Sequence, residues 1–163
     1  MSGLTGDQLI YGPINGLDSP GYPVGLKGST SFPAKSGCFV YSNSGYAGIC
    51  ISTTATILGW ADVGRLANDS TAPYISNSTD GNDVASVILA SDCVFRLPVL
   101  SGTFAVTYVG YRCDLGIGTI NSIANAQGAA LATTSHNLVI IVGGDLVNNT
   151  WVDVIMNPAV RGV

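Results

Sequence analysis

The chain has 163 residues and carries only 16 charged side chains: ten Asp, two Lys, four Arg and no Glu, for a net charge of -4. Six basic groups cannot line a phosphate-tracking groove, which argues against nucleic-acid binding. A 47% hydrophobic content excludes disorder of the whole chain, and no apolar run approaches the roughly 20 residues that span a bilayer.

Residues 1–37 come first and differ from the rest. They hold four of the seven prolines and eight of the 21 glycines, in turn-forming pairs such as Gly12-Pro13, Asn15-Gly16 and Pro20-Gly21. The opening Met1-Ser2-Gly3-Leu4-Thr5-Gly6-Asp7 has neither the basic nor the apolar stretch of a secretory signal, so folding in a cytoplasm is expected. No helical or alternating period runs through the segment, yet Tyr11, Leu17, Tyr22, Leu26 and Phe32 recur in it. A flexible linker would be polar. The segment is therefore expected to be an extended N-terminal arm whose five apolar residues bind a partner surface.

From Cys38 onward the pattern is β. Runs rich in β-branched and aromatic residues alternate with turn clusters: Cys38 to Tyr41, Ala47 to Leu58, Val84 to Ala90, Cys93 to Val99, Thr103 to Tyr111, Leu138 to Val142 and Trp151 to Met156. Trp60 to Leu66 reads as a short helical turn. Ile120 to Ala132 is Ala-rich but broken by Gly128 and Asn residues, and reads as a loop. The expected architecture is all-β: a small β-barrel or sandwich over residues 38–163, with residues 1–37 as the arm. Period-two spacing points Phe95, Leu97, Phe104, Val106, Tyr108, Val139, Ile141, Val152 and Val154 into one interior.

Residues with chemical potential are few. Cys38, Cys50, Cys93 and Cys113 show no C-x-x-C spacing, and each sits in an apolar run. They read as buried free thiols, with one or two disulfides as the alternative. His136 is the single histidine and stands at a strand entry, where a hydrolase would need it beside an Asp. Asp80-Gly81-Asn82-Asp83 lacks the ligand ladder of an EF-hand and reads as a tight turn, with weak calcium binding by Asp80, Asn82 and Asp83 as its functional alternative. No catalytic, metal or cofactor residue is assigned, and the chain is not expected to be an enzyme.

The surface is the most telling feature. A folded chain of this mass exposes roughly 7,600 Å², and 40 Ser, Thr and Asn residues must cover what 16 charges do not. Neutral polar groups cost less to desolvate than ions, so the surface suits burial in an assembly.

One succession of strands carries a resemblance. Val87-Ile88-Leu89-Ala90-Ser91-Asp92-Cys93-Val94-Phe95-Arg96-Leu97-Pro98 leads to Tyr108-Val109-Gly110-Tyr111-Arg112-Cys113-Asp114-Leu115. After a Ser/Thr/Ala-rich loop come Leu138-Val139-Ile140-Ile141-Val142-Gly143-Gly144-Asp145 and Thr150-Trp151-Val152-Asp153-Val154-Ile155-Met156-Asn157. The order resembles the β-barrel domain of head decoration, or capsid cement, proteins of tailed double-stranded DNA bacteriophages. The resemblance implies a structural protein on the virion surface that binds the major capsid protein and itself, as a homotrimer or a dimer, with no nucleic acid or membrane partner. A second reading is a carbohydrate-binding or adhesin-like β-sandwich in which Trp60, Trp151 or the tyrosines stack on sugar rings.

Overall fold

The structure, a computed structural model, describes residues 11–15, 20–34, 36–63, 72–89, 92–120 and 123–162. Thirteen strands follow one another among them: β1 (Gly12–Pro13), β2 (Gly21–Gly25), β3 (Ser31–Phe32), β4 (Cys38–Asn43), β5 (Tyr46–Ile49), β6 (Gly59–Ala61), β7 (Tyr74–Ile75), β8 (Val84–Ile88), β9 (Phe95–Ser101), β10 (Arg112–Ile120), β11 (Ile123–Ala130), β12 (Val139–Gly144) and β13 (Trp151–Met156). The all-β expectation holds, but the strands form two rings where the sequence suggests one.

The first ring is the antiparallel sheet β2-β8-β6-β4-β5. Its two ends meet at a parallel bridge between Leu26 and Ala47, where the Lys27 N–H donates to the Ala47 carbonyl at 2.9 Å. The β4–β5 hairpin turns through Ser44 and Gly45, both at positive φ, which is the backbone a tight two-residue hairpin needs. The second ring runs β9-β11-β10-β12-β13 and returns to β9. Its one parallel contact is β9 with β11, and β13 closes it by pairing Trp151 to Val154 with Pro98 to Phe95. Closure leaves these sheets few unpaired edges.

The rings share a wall. On β4 and β6 the side chains alternate. Cys38, Val40 and Ala61 face the interior of the first ring, while Phe39 and Trp60 face the core of the second. There Phe39, Trp60 and Phe95 form a buried trio with ring centroids 5.0–5.3 Å apart, two contacts edge-on and one stacked. These are the separations at which aromatic pairs attract beyond simple burial.

Buried Gln127 of β11 adds a polar pin. Its amide oxygen accepts from the Phe39 N–H at 2.7 Å, and its nitrogen donates to the Phe39 and Cys50 carbonyls at 2.9 Å each. The side-chain amide thus behaves as a peptide unit of a neighbouring strand, satisfying backbone groups that would otherwise be costly to bury. The chain end adds a third tie, with Ile57 N–H donating to Val160 and Gly162 N–H donating to Ile57.

Four expectations need correction. The described part of residues 1–37 is not an arm standing off a barrel: β1 pairs with β9, β2 with β8 and β3 with β7. Trp60 and Ala61 are strand, not helix, the helical turn is met only at Val63, which is in 3₁₀ conformation, and residues 64–66 lie outside the described residues. Ile120 to Ala132 is mostly strand β11, not a loop. Thr103 to Tyr111 is not a strand but an arch around a 3₁₀ turn at Val106–Tyr108. Of the nine residues expected inside, seven are buried. Val106 is exposed and Tyr108 half-buried, because both sit on that arch.

Candidate interaction surface

The five residues expected to touch a partner do not share a surface. Leu26 and Phe32 have no exposed area and belong to the first ring's core, which leaves them nothing to offer another chain. Tyr11 is half-buried and Tyr22 exposed, while Leu17 lies outside the described residues.

The segment after Leu26 is held by acidic side chains from the turn before β8. Asp80 accepts from the Lys27 ammonium and the Gly28 N–H, each at 2.8 Å. Asp83 accepts from the Tyr74 hydroxyl and from the Asn77 N–H at 2.7 Å. The Lys27 ammonium holds Asp80 below the ordinary carboxylate range, and the Tyr74 hydroxyl does so for Asp83. The turn expected at Asp80 to Asp83 is therefore present, and its carboxylates fasten the chain onto itself.

His136 and an Asp do come together, in a way that does not suit catalysis. Buried Asp114 accepts from the backbone N–H groups of Ser135, His136 and Asn137 at 3.0, 2.8 and 2.7 Å. Both carboxylate oxygens are occupied by main-chain donors, so Asp114 braces the loop before β12 and does not orient the imidazole. Among the described residues no group of three or more His, Cys, Asp or Glu side chains could hold a metal ion. All four cysteines are free and buried. Burial pushes the Cys38 and Cys50 thiols well up and Cys113 up to about 12, which keeps them from acting as nucleophiles at neutral pH.

The two tryptophans are also accounted for. Trp60 is part of the core trio. One face of Trp151 is covered by Arg96, whose guanidinium carbon lies 3.7 Å from the ring centroid. Two bonds to Asp153, at 2.8 and 3.0 Å, hold the guanidinium in place. Trp60, being buried, is withdrawn from any sugar-stacking role, and Trp151 has one face taken by Arg96.

What the fold does present is apolar. Among the described residues, six of the eleven exposed large hydrophobic side chains fall on two adjoining segments: Val106, Val109 and Tyr111 on the arch, and Val142, Leu146 and Val147 on β12 and the turn after it. The arch lies along β12. Gly110 N–H donates to Ile141, Ile141 N–H donates to Tyr111, and the Phe104 ring packs where a side chain on Gly144 would otherwise project. Val142 is the extra residue of a bulge against β13, a device that re-aims a side chain out of the ladder. Val147, 88% exposed, stands on a turn braced by Asp145. That carboxylate accepts from Val147, Asn148 and Thr150 N–H groups and from the Thr150 hydroxyl. A surface made of exposed side chains on an arch, a bulge and a turn leaves no periodic signal, and period-two spacing points Val106 inside.

No protein-family model, curated protein or solved structure matches the chain.

Proposed function

We propose that the protein is a structural virion component that binds the outer surface of a tailed-phage capsid and cements its major capsid subunits. The observation that carries this reading is the state of its charges. Among the described residues, Asp80, Asp83, Asp114, Asp145 and Asp153 accept from donors of the same chain. Together with a coat of Ser, Thr and Asn and the exposed apolar side chains, this gives a surface that loses little on desolvation. Such a surface favours broad, permanent attachment over turnover of a charged ligand. The resemblance of the sequence runs between Val87 and Asn157 to capsid cement proteins points the same way.

The test is co-sedimentation of the purified chain with expanded shells of the major capsid protein encoded in the same genome. Saturable binding at a fixed ratio to capsid subunits, with a rise in shell melting temperature, is the expected result. Absence of the chain from the pelleted shells would refute the reading.

A further inference from the structure

The apolar face of the arch and β12 has a symmetry that points to its occupant. Val106, Val109, Tyr111, Val142, Leu146 and Val147 leave on the order of 600 Å² exposed, most of the roughly 800 Å² per partner that a standard interface buries. Its charges stand at opposite ends. Arg112, exposed, pairs with Ile140 where β12 begins, and Asp145 follows directly where β12 ends. Four strand residues, Ile141 to Gly144, stand between the two positions, and the five steps span about 17 Å. The Asp145 carboxylate has its lone pairs occupied by its own turn and is held down to about 2, with the Thr150 hydroxyl the largest cause. It therefore stays ionised beside a buried surface.

We infer that this face is a two-fold interface between two copies of the chain, with the axis passing near Val142. An isologous contact places the same patch against itself with its ends exchanged. Arg112 of one copy then meets the Asp145 end of the other, while the apolar side chains between them cover one another. A three-fold assembly would bring different patches together and would leave this exchange of ends unused. The inference is independent of the capsid reading, because dimerisation is measured on the purified chain alone.

Because all four native cysteines are buried, Val142→Cys adds the one exposed thiol of the described surface. With copper phenanthroline as oxidant, this variant is expected to form a disulfide-linked dimer, while Tyr22→Cys at equal concentration stays unlinked. In sedimentation equilibrium the unmodified chain is expected to be dimeric, and Val147→Asp and Arg112→Asp each to weaken the dimer by about tenfold or more. Both substitutions are on exposed side chains, and circular dichroism verifies that the fold is kept. The inference is overturned by a chain that stays monomeric up to about 100 μM, by a trimer, or by equal cross-linking of the two cysteine variants.

Discussion

At the scale of single residues, the structure depends on polar side chains that stand in for missing backbone partners. Gln127 is the clearest case. Gln127→Leu keeps the volume but leaves the Phe39 N–H and the Cys50 carbonyl without this partner, and each orphaned buried group costs about 1–3 kcal/mol. A lower urea midpoint with an unchanged m value is expected. The exposed carboxylates set a pH dependence. Asp80, Asp83 and Asp145 are all held below their unfolded values. The stability they contribute is therefore present above the ordinary carboxylate range and lost as pH falls through the folded values. Thermal melts should be flat from pH 7 to about 5 and fall below about 4, and Asp145→Ala should lose part of that fall. The thiols act at the other end. With Cys113 raised to about 12, its contribution is complete below the unfolded value and disappears as pH rises toward the folded one. A thiol reagent at pH 8 should label none of the four cysteines until denaturant is added.

At the scale of elements, what was legible in the sequence depended on what each strand packs against. Strands lined by Val, Ile and Phe, such as Phe95–Ser101, Val139–Gly144 and Trp151–Met156, announce themselves by alternation. Ile123–Ala130 does not, and the reason is steric. Added side chains at Gly116, Gly118 and Gly128 would lie 2.5–2.9 Å from Leu100, so these glycines of β10 and β11 form the hollow that Leu100 fills. Small residues are a requirement of the packing there, although in sequence they read as a breaker. The arch misleads in the opposite direction, since Val106 and Tyr108 show strand spacing without being in a ladder. Gly116→Ala should displace the Leu100 Cδ2 methyl, the one neighbour its Cβ would strike, and destabilise by about 1–3 kcal/mol. Combining it with Leu100→Ala should cost less than the sum of the two single changes, a coupling that a double-mutant cycle on denaturation data would read directly.

At the scale of the molecule, the arm expectation failed for a reason that predicts how the chain unfolds. Proline and glycine in residues 1–37 rule out helix, but they do not rule out short strands on the rim of a ring. Pro23 sits on β2, which pairs with β8 alone within its sheet, and proline is tolerated at such an edge. Of the apolar residues scattered through the segment, Leu26 and Phe32 are buried and Tyr22 is exposed, and what sequence could not supply was the identity of the surface that buries the first two. Leu26 carries the bridge that closes the first ring, and Phe32 fills its core. That ring in turn sends Phe39 and Trp60 into the second. Deleting residues 1–33 would therefore remove β1, β2 and β3, open the first ring and expose the wall that the second ring packs on. The truncated chain is expected to lose cooperative unfolding altogether, in place of leaving an intact domain of residues 38–163. In the full chain, fluorescence of Trp60, in the shared wall, and of Trp151, on β13 of the second ring, should report the same urea midpoint when each is isolated by Trp→Phe at the other. Two separate midpoints, or a folded truncation with a sharp melting transition, would show that the rings are stable apart and that the shared aromatic wall is a contact between them and not a common core.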